Sequence, residues 1–199
     1  MSEASSERRL GGEQAAAATA AIRPAVDADL AAVRRIYAAH VLGGTGTFEE
    51  TPPSLGEIVE RWQGIAAQGL PYLVACHDDE VKGFAYAGRF RPRSGYRFTV
   101  EDSIYVAPEA VGCGLGCLLL AALIARCRDL GMRHMIAVIG DSANAASIRL
   151  HARQGFRHAG VLVDAGFKFG RWIDVVFMQR PLADGPGLGL EDESSVERN

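Results

Sequence analysis

The chain has 199 residues, 48% of them hydrophobic, and a mean hydropathy near zero, enough for one water-soluble domain with a substantial core. No apolar run approaches the roughly 20 residues of a membrane span. The formal charge of −3 at pH 7 provides no basic stripe of the kind that nucleic-acid binding requires.

Residues 1–20 mix acids with a short alanine run and lack the basic start and apolar centre of a signal peptide. Residues 183–199 are glycine-rich and then acidic. Both are expected to be loose tails around a domain at 21–182, and residues 22–182 carry a formal charge of about +2. Cys76, Cys113, Cys117 and Cys127 have no paired metal spacing, and three of them fall in one turn and helix. A disulfide framework does not fit, and a reducing cytoplasm does.

Ile22 opens a short strand, and Asp27 or Asp29 is expected to cap a helix with Leu30, Val33, Ile36 and Tyr37 on one face. A small-residue loop from His40 to Thr51 follows. Its Phe48 and Glu49 fit either a core plug beside solvated acids or the wall of a substrate pocket. Ser54 and Glu57 have capping-box spacing at the start of a second helix, which buries Ile58, Trp62 and Ile65 and ends at Gly69 and Pro71. Tyr72 to Cys76 and Val81 to Gly88 read as a hairpin around a turn at residues 77–80. Arg89, Arg91, Arg93 and Arg97 then crowd one loop, which is either solvated or a clamp for an anionic group.

Phe98 to Val106 reads as a strand, and Glu101 and Asp102 inside this β-branched run are unusual because strands disfavour acids. At least one is expected to face a cleft. The strand feeds a turn with Gly112, Gly114 and Gly116, then an apolar helix ending at Gly131. Glycines before a helix let backbone N–H groups converge on phosphate oxygens, so a pyrophosphate suits the turn. A P-loop would close with Gly-Lys-Ser/Thr, and a dinucleotide-binding turn would have glycine where Cys117 stands. A plain tight turn is the remaining alternative. Cys113 and Cys117 there are either packing residues or partial thiolates.

His134 to Ile139 makes another strand, parallel to the one before the helix. A polar loop then enters a short helix capped by Asn144, with Gly155 beyond its end and His151 on it. His151 on these grounds is either a packing residue or a catalyst. Arg157–Asp164 and Arg171–Arg180 read as antiparallel strands joined by a loop at 165–170. No internal repeat appears.

Several local sequences, met in one order, carry a further reading. They are Val100 to Val106, Gly114-Leu115-Gly116, Ala137 to Gly140, Asn144 to His151, Gly155-Phe156, and Gly166 to Asp174. Together they resemble the phosphinothricin and methionine-sulfoximine acetyltransferase branch of the GCN5-related N-acetyltransferase (GNAT) family, over about residues 20–182. The resemblance implies an α/β (α+β) fold with a single mixed central β-sheet and helices on both faces. It also implies a homodimer, with the Phe167–Trp172 segment near the contact.

The implied donor is acetyl-CoA. Its pyrophosphate is expected on Val111, Gly112, Cys113, Gly114, Leu115, Gly116 and Cys117, and its pantetheine arm between Ile104, Tyr105, Val106 and the Ile136–Ile139 strand, near Asn144 and Ser147. The family's turn carries Gln or Arg and then a basic residue where this chain has Val111 and Gly112, so positive charge is missing there. Glu101 matches the proposed general base, a backbone N–H near Tyr105 or Val106 the oxyanion donor, and His151 the group that protonates the leaving thiolate. For a small amino-acid acceptor, Arg91 or Arg97 is expected to hold the carboxylate, with Phe48, Glu49 and Lys168 on the other wall. Acetylation of a protein N-terminus or polyamine, or non-catalytic acetyl-CoA binding, are the alternatives.

Overall fold

Among the described residues, seven strands and four α-helices follow the chain in the order read from the sequence. They are β1 (Ala21–Pro24), α1 (Leu30–Gly43), α2 (Leu55–Ala67), β2 (Tyr72–His77), β3 (Glu80–Arg89), β4 (Thr99–Val106), α3 (Leu115–Asp129), β5 (His134–Gly140), α4 (Ala145–Arg153), β6 (Arg157–Lys168) and β7 (Arg171–Pro181). The structure, a computed structural model, describes residues 20–183, so the two expected tails lie outside the described residues except for Ala20 and Ala183. Among the described residues no helix is long and apolar enough to cross a membrane.

The strands form one sheet in the order β1-β2-β3-β4-β5-β7-β6, antiparallel throughout except for the β4–β5 pair. Helices cover both faces, which side-chain parity on β3 makes plain. A Cβ at Gly83 would meet Leu119 of α3, whereas the next residue, Phe84, packs its ring against Tyr37 of α1. Successive strand residues point to opposite faces, so α3 lies on one side and α1 on the other. Burial on both sides is why β2 reads as an unbroken apolar run instead of alternating.

Helix boundaries follow local chemistry. Ser54 Oγ accepts from the Glu57 amide at 3.2 Å while Glu57 accepts from the Ser54 amide at 2.7 Å, closing the expected capping box of α2. Asp29 behaves differently from expectation, because its side chain does not cap α1. Arg23 donates to both its oxygens, at 2.6 and 2.8 Å, and the Val26 amide donates at 2.8 Å. These donors, Arg23 foremost, hold the Asp29 carboxyl below its usual range, and the ion pair ties β1 to the entry of α1.

The last hairpin is also tighter than the sequence suggested. β6 does not stop at Asp164 but resumes after an irregularity between Leu162 and Gly166 and pairs through Lys168 opposite Arg171. Phe169 and Gly170, both with positive φ, make a two-residue turn whose twist suits the flanking strands. That extension carries Lys168 inward, where it is 1% exposed and its Nζ donates to the Gly44 and Thr47 carbonyls, both at 2.8 Å. The loop after α1 is pinned there. Gly140 and Gly166 complete the clamp, since a methyl group at Gly140 would be driven into the Thr45 carbonyl oxygen and one at Gly166 into the Phe48 ring.

Gly140→Ala should therefore cost about 1–3 kcal/mol, as overpacking against backbone does, whereas Gly160→Ala, with open space around it, should change stability far less. Urea denaturation of both variants checks this, and equal midpoints would remove the clamp.

Candidate active site

β4 and β5 are paired only from Thr99–His134 to Asp102–Ala137. Beyond that point β4 continues along β3 to Val106 and β5 continues along β7 to Gly140, so the two strands fork. Each leaves one bare backbone edge facing the gap. The direction of those edges follows from the hydrogen bonds at either end of β4. Ala107 N–H donates to Lys82 O at 2.8 Å and Phe90 N–H to Thr99 O at 3.3 Å, on the β3 side, whereas Phe98 O accepts from Arg133 and His134 on the β5 side. Alternation along an antiparallel ladder then turns the odd residues of β4 toward β3 and aims the N–H groups of Ile104 and Val106 into the fork. Tyr105 N–H, one of the two oxyanion donors expected, points to β3 instead.

The fork opens into a cavity of about 1000 Å³. The turn after β4 forms one end of it. Gly112 and Gly114 have φ of 92° and 81°, values that a side chain would strain, and Leu115 and Gly116 begin α3 with N–H groups that a helix cannot pair internally. Val111, Gly112, Gly114, Leu115, Gly116 and Cys117 line the cavity, and Cys113 does not. Gly116 has a packing role, because a Cβ there would crowd Leu150 of α4 at 3.3 Å. Asn144 Oδ1 caps α4 by accepting from the Ser147 amide at 3.2 Å, and both residues line the opposite wall with Arg149 and Arg153. Those two arginines, four residues apart on α4, bring to the cavity positive charge that the turn at Val111-Gly112 lacks. Spacing on the short helix could have flagged them; their approach to the turn could not be seen in the sequence.

Glu101 and Asp102 sit at the base of the fork on opposite faces of β4. Glu101 lines the cavity, and burial, reinforced by repulsion from Asp102 and opposed by Arg91, pushes its carboxyl above the usual range. Asp102 is buried against α4, with Oδ2 3.0 Å from Nε2 of His151, while Nδ1 of His151 lies 2.8 Å from the Ser147 carbonyl. Both partners are acceptors, so satisfying them takes two N–H groups, an imidazolium against a carboxylate. Burial alone would favour the neutral ring, but the Asp102 and Ser147 contacts outweigh it and the His151 pKa is raised. Asp102 Oδ1 is buried without a hydrogen-bond partner among the described residues. His151 thus reaches the site with both nitrogens committed. Sequence reading missed this partner, and missed His40, whose Nε2 is 2.8 Å from Val106 O at the end of the bare edge.

The expected acceptor residues are brought together less completely. Phe48 lines the cavity; Glu49, Arg91, Arg97 and Lys168 do not. Lys168 is spent on the loop carbonyls already described, and burial lowers its pKa. Glu49 is held by Arg61 of α2, at 2.7 and 3.3 Å, and by the Tyr37 hydroxyl at 3.0 Å. Arg91 and Arg97 lie over the rings of Phe90 and Phe98 in an exposed loop. Arg97 turns back to Ser94 O at 3.3 Å, whereas the field of Arg91 reaches Glu101.

The site is thus a split parallel pair with a glycine turn opening a helix at one end of the split and Glu101 at its base. The Acetyltransferase (GNAT) family model matches residues 30–156, and the chain belongs to that family. It is 53% identical over 178 residues to the phosphinothricin N-acetyltransferase of Alcaligenes faecalis, covering 89% of this chain and 90% of that one. It is 46% identical over 162 residues to an L-methionine sulfoximine/L-methionine sulfone acetyltransferase of Pseudomonas paraeruginosa, covering 81% and 94%. The crystal structure of a GNAT superfamily phosphinothricin acetyltransferase from Sinorhizobium meliloti in complex with AcCoA matches with a TM-score of 0.81 and 49% identity, covering 88% of this chain and 97% of that one.

His151→Phe leaves the Asp102 carboxylate buried and unpaired and should lower stability by about 3–5 kcal/mol, while Asp102→Leu combined with His151→Phe should recover most of the loss. Chemical denaturation of the single and double variants decides it; a double variant no more stable than the single one would refute the pairing argument.

Proposed function

We propose that the chain transfers an acetyl group from acetyl-CoA to the free amino group of a small amino-acid-like acceptor of the phosphinothricin, methionine sulfoximine and methionine sulfone class. The observation that supports it most is the fork itself. Its bare β4 and β5 edges suit the amide-bearing pantetheine arm, and the glycine turn with the first amides of α3 suits the pyrophosphate at the far end. Arg149 and Arg153 compensate for the neutral Val111-Gly112 turn. Acetyl-CoA supplies an activated thioester carbonyl.

The acceptor amine is protonated at neutral pH and becomes nucleophilic when Glu101 takes a proton from it, directly or through one water. Its nitrogen bonds to the acetyl carbon; as the carbon–sulfur bond breaks, the nitrogen gives up its second proton, and the departing thiolate takes up a proton to leave as the free thiol of CoA. The N–H groups of Ile104 and Val106, fixed by the β3–β4 ladder, are placed to receive charge developing on the carbonyl oxygen. We assign His151 to holding α4 against β4, since its nitrogens are occupied, and leave proton removal to Glu101. Arg91, which faces Glu101 electrostatically, is the better candidate for the acceptor carboxylate; Arg97, bonded to its own turn, is the weaker. A polyamine acceptor would call for acids, and the charges in this loop are arginines.

The homodimer reading rests on the β6–β7 hairpin, where Val161, Leu162, Val163, Phe167, Phe169 and Trp172 are all exposed at the sheet edge, an apolar cluster of the kind that marks an interface. Unpaired Cys76, Cys113, Cys117 and Cys127 support a cytoplasmic location.

Thiol release should show preferential turnover of the three named acceptors over spermidine and a short peptide. Because burial raises the Glu101 pKa, and the base must be ionised, the acid limb of kcat/KM should lie above the ordinary carboxylate range. Glu101→Gln should lose about 10²–10⁴-fold in kcat and raise thermal stability at neutral pH. The sign follows from the raised pKa: the ionised carboxylate is disfavoured by folding, so stability present below the unfolded pKa is lost as pH rises through the folded one. A Gln variant as active as wild type would end the general-base role. Phe169→Lys with Trp172→Lys should yield a monomer by light scattering.

A further inference from the structure

A second cavity, of about 270 Å³, lies beneath α2 on the face of the sheet that Glu101 shares. Its floor is three rings in near-parallel array, with Tyr72 and Phe84 at 4°, Tyr72 and Tyr86 at 15°, and Phe84 and Tyr86 at 12°. The roof is built from residues that do not fill it. Helical spacing puts Ile58, Arg61, Gly64, Ile65 and Gln68 on the stripe facing the sheet, and only the two isoleucines are buried. A core helix would carry bulky apolar residues at 61, 64 and 68; here Arg61, Gly64 and Gln68 are exposed and leave a half-open cleft between helix and sheet.

The cavity also has a route to the base. Gly88 lines it and stands directly opposite Glu101 in the β3–β4 register. Cross-strand neighbours lie about 5 Å apart, and a Cβ at Gly88 would meet nothing within 4 Å, so no side chain separates cavity from carboxylate. Tyr86 lines both this cavity and the large one. At the mouth, Arg61 lies 5.8 Å over the Tyr37 ring and is already paired with Glu49, leaving the opening without net charge.

We infer that this cavity is the side-chain subsite of the acceptor and that it takes an uncharged tail, a thioether, sulfone or aryl group. The inference rests on the amino-acid acceptor proposed above. The volume is near the lower end for ligand pockets, about 300 Å³, which suits one side chain beside an amine held at Glu101. An anionic tail would give up its hydration against stacked aromatic rings with no unneutralised cation to meet it. The subsite therefore favours methionine sulfone and phenylalanine over acceptors with an anionic tail.

Gly64 gives a clean test, because a Cβ there also meets nothing within 4 Å, so Gly64→Phe fills the cavity from the helix side, and Gly160→Ala, in open space and lining neither cavity, is the control. Wild type and both variants of the full chain are assayed with acetyl-CoA and methionine sulfone, phenylalanine, phosphinothricin and alanine. Gly64→Phe should lower kcat/KM for methionine sulfone and phenylalanine by at least about tenfold, the scale on which a pocket discriminates by size. Alanine turnover and the KM for acetyl-CoA should stay within about twofold, as should every parameter of Gly160→Ala. Gly88→Val blocks the route from β3 and should reproduce the pattern if Gly64→Phe melts early. An unchanged acceptor profile in both blocking variants, or a parallel fall for all four acceptors, overturns the subsite alone. A wild-type protein that acetylates none of the four overturns the acceptor class, and the subsite with it.

Discussion

Backbone N–H and C=O groups have to be paired wherever water is excluded, and the site is built around the place where two neighbouring strands stop meeting that requirement for each other. After Asp102 and Ala137 the β4–β5 ladder ends, yet β3 and β7 keep both strands extended. The gap is held open from outside, and its edges keep donors that a strand-like ligand could use. The glycine turn, α4 and the loop pinned by Lys168 all close round this gap.

Adjacent acids on one strand do opposite work because the strand turns them to opposite faces. Glu101, in the cavity, has its ionisation made harder by burial and by its neighbour. Asp102, on the other side, is occupied by His151 of α4, whose pKa the contact raises. One pair of residues thus supplies an acid held in the cavity and the anchor for the helix beside it. The same separation of faces places the aromatic cavity on the Glu101 side, away from α3.

Much of this was legible in the chain. The order of elements, the cap at Asn144, the capping box at Ser54 and the left-handed glycines of the turn are local matters, decided by a few neighbouring residues. Glu101 and Asp102 were visible as a pair because acids in a β-branched run have to be explained, and the family resemblance singled out Glu101. Lys168 was not, because the register of β6 after its irregularity sets which way that ammonium faces. Arg23 looked unremarkable until its pairing with Asp29 took away the cap expected for α1. Arg97 and Glu49, charged and well placed in the sequence, were already bound to Ser94 and Arg61.

The sequence by itself determined the elements, their order and the turn that opens α3, since propensity, capping and periodicity act over a few residues; it marked the pair Glu101 and Asp102 as facing a cleft without choosing between them. The tertiary structure alone decided that His151 meets Asp102 across 49 positions, that Arg149 and Arg153 reach the cavity of the glycine turn, and that Gly64 and Gly88 line one cavity. Those relations depend on register and on helix placement over a sheet, and a one-residue shift in a strand moves every side chain to the other face.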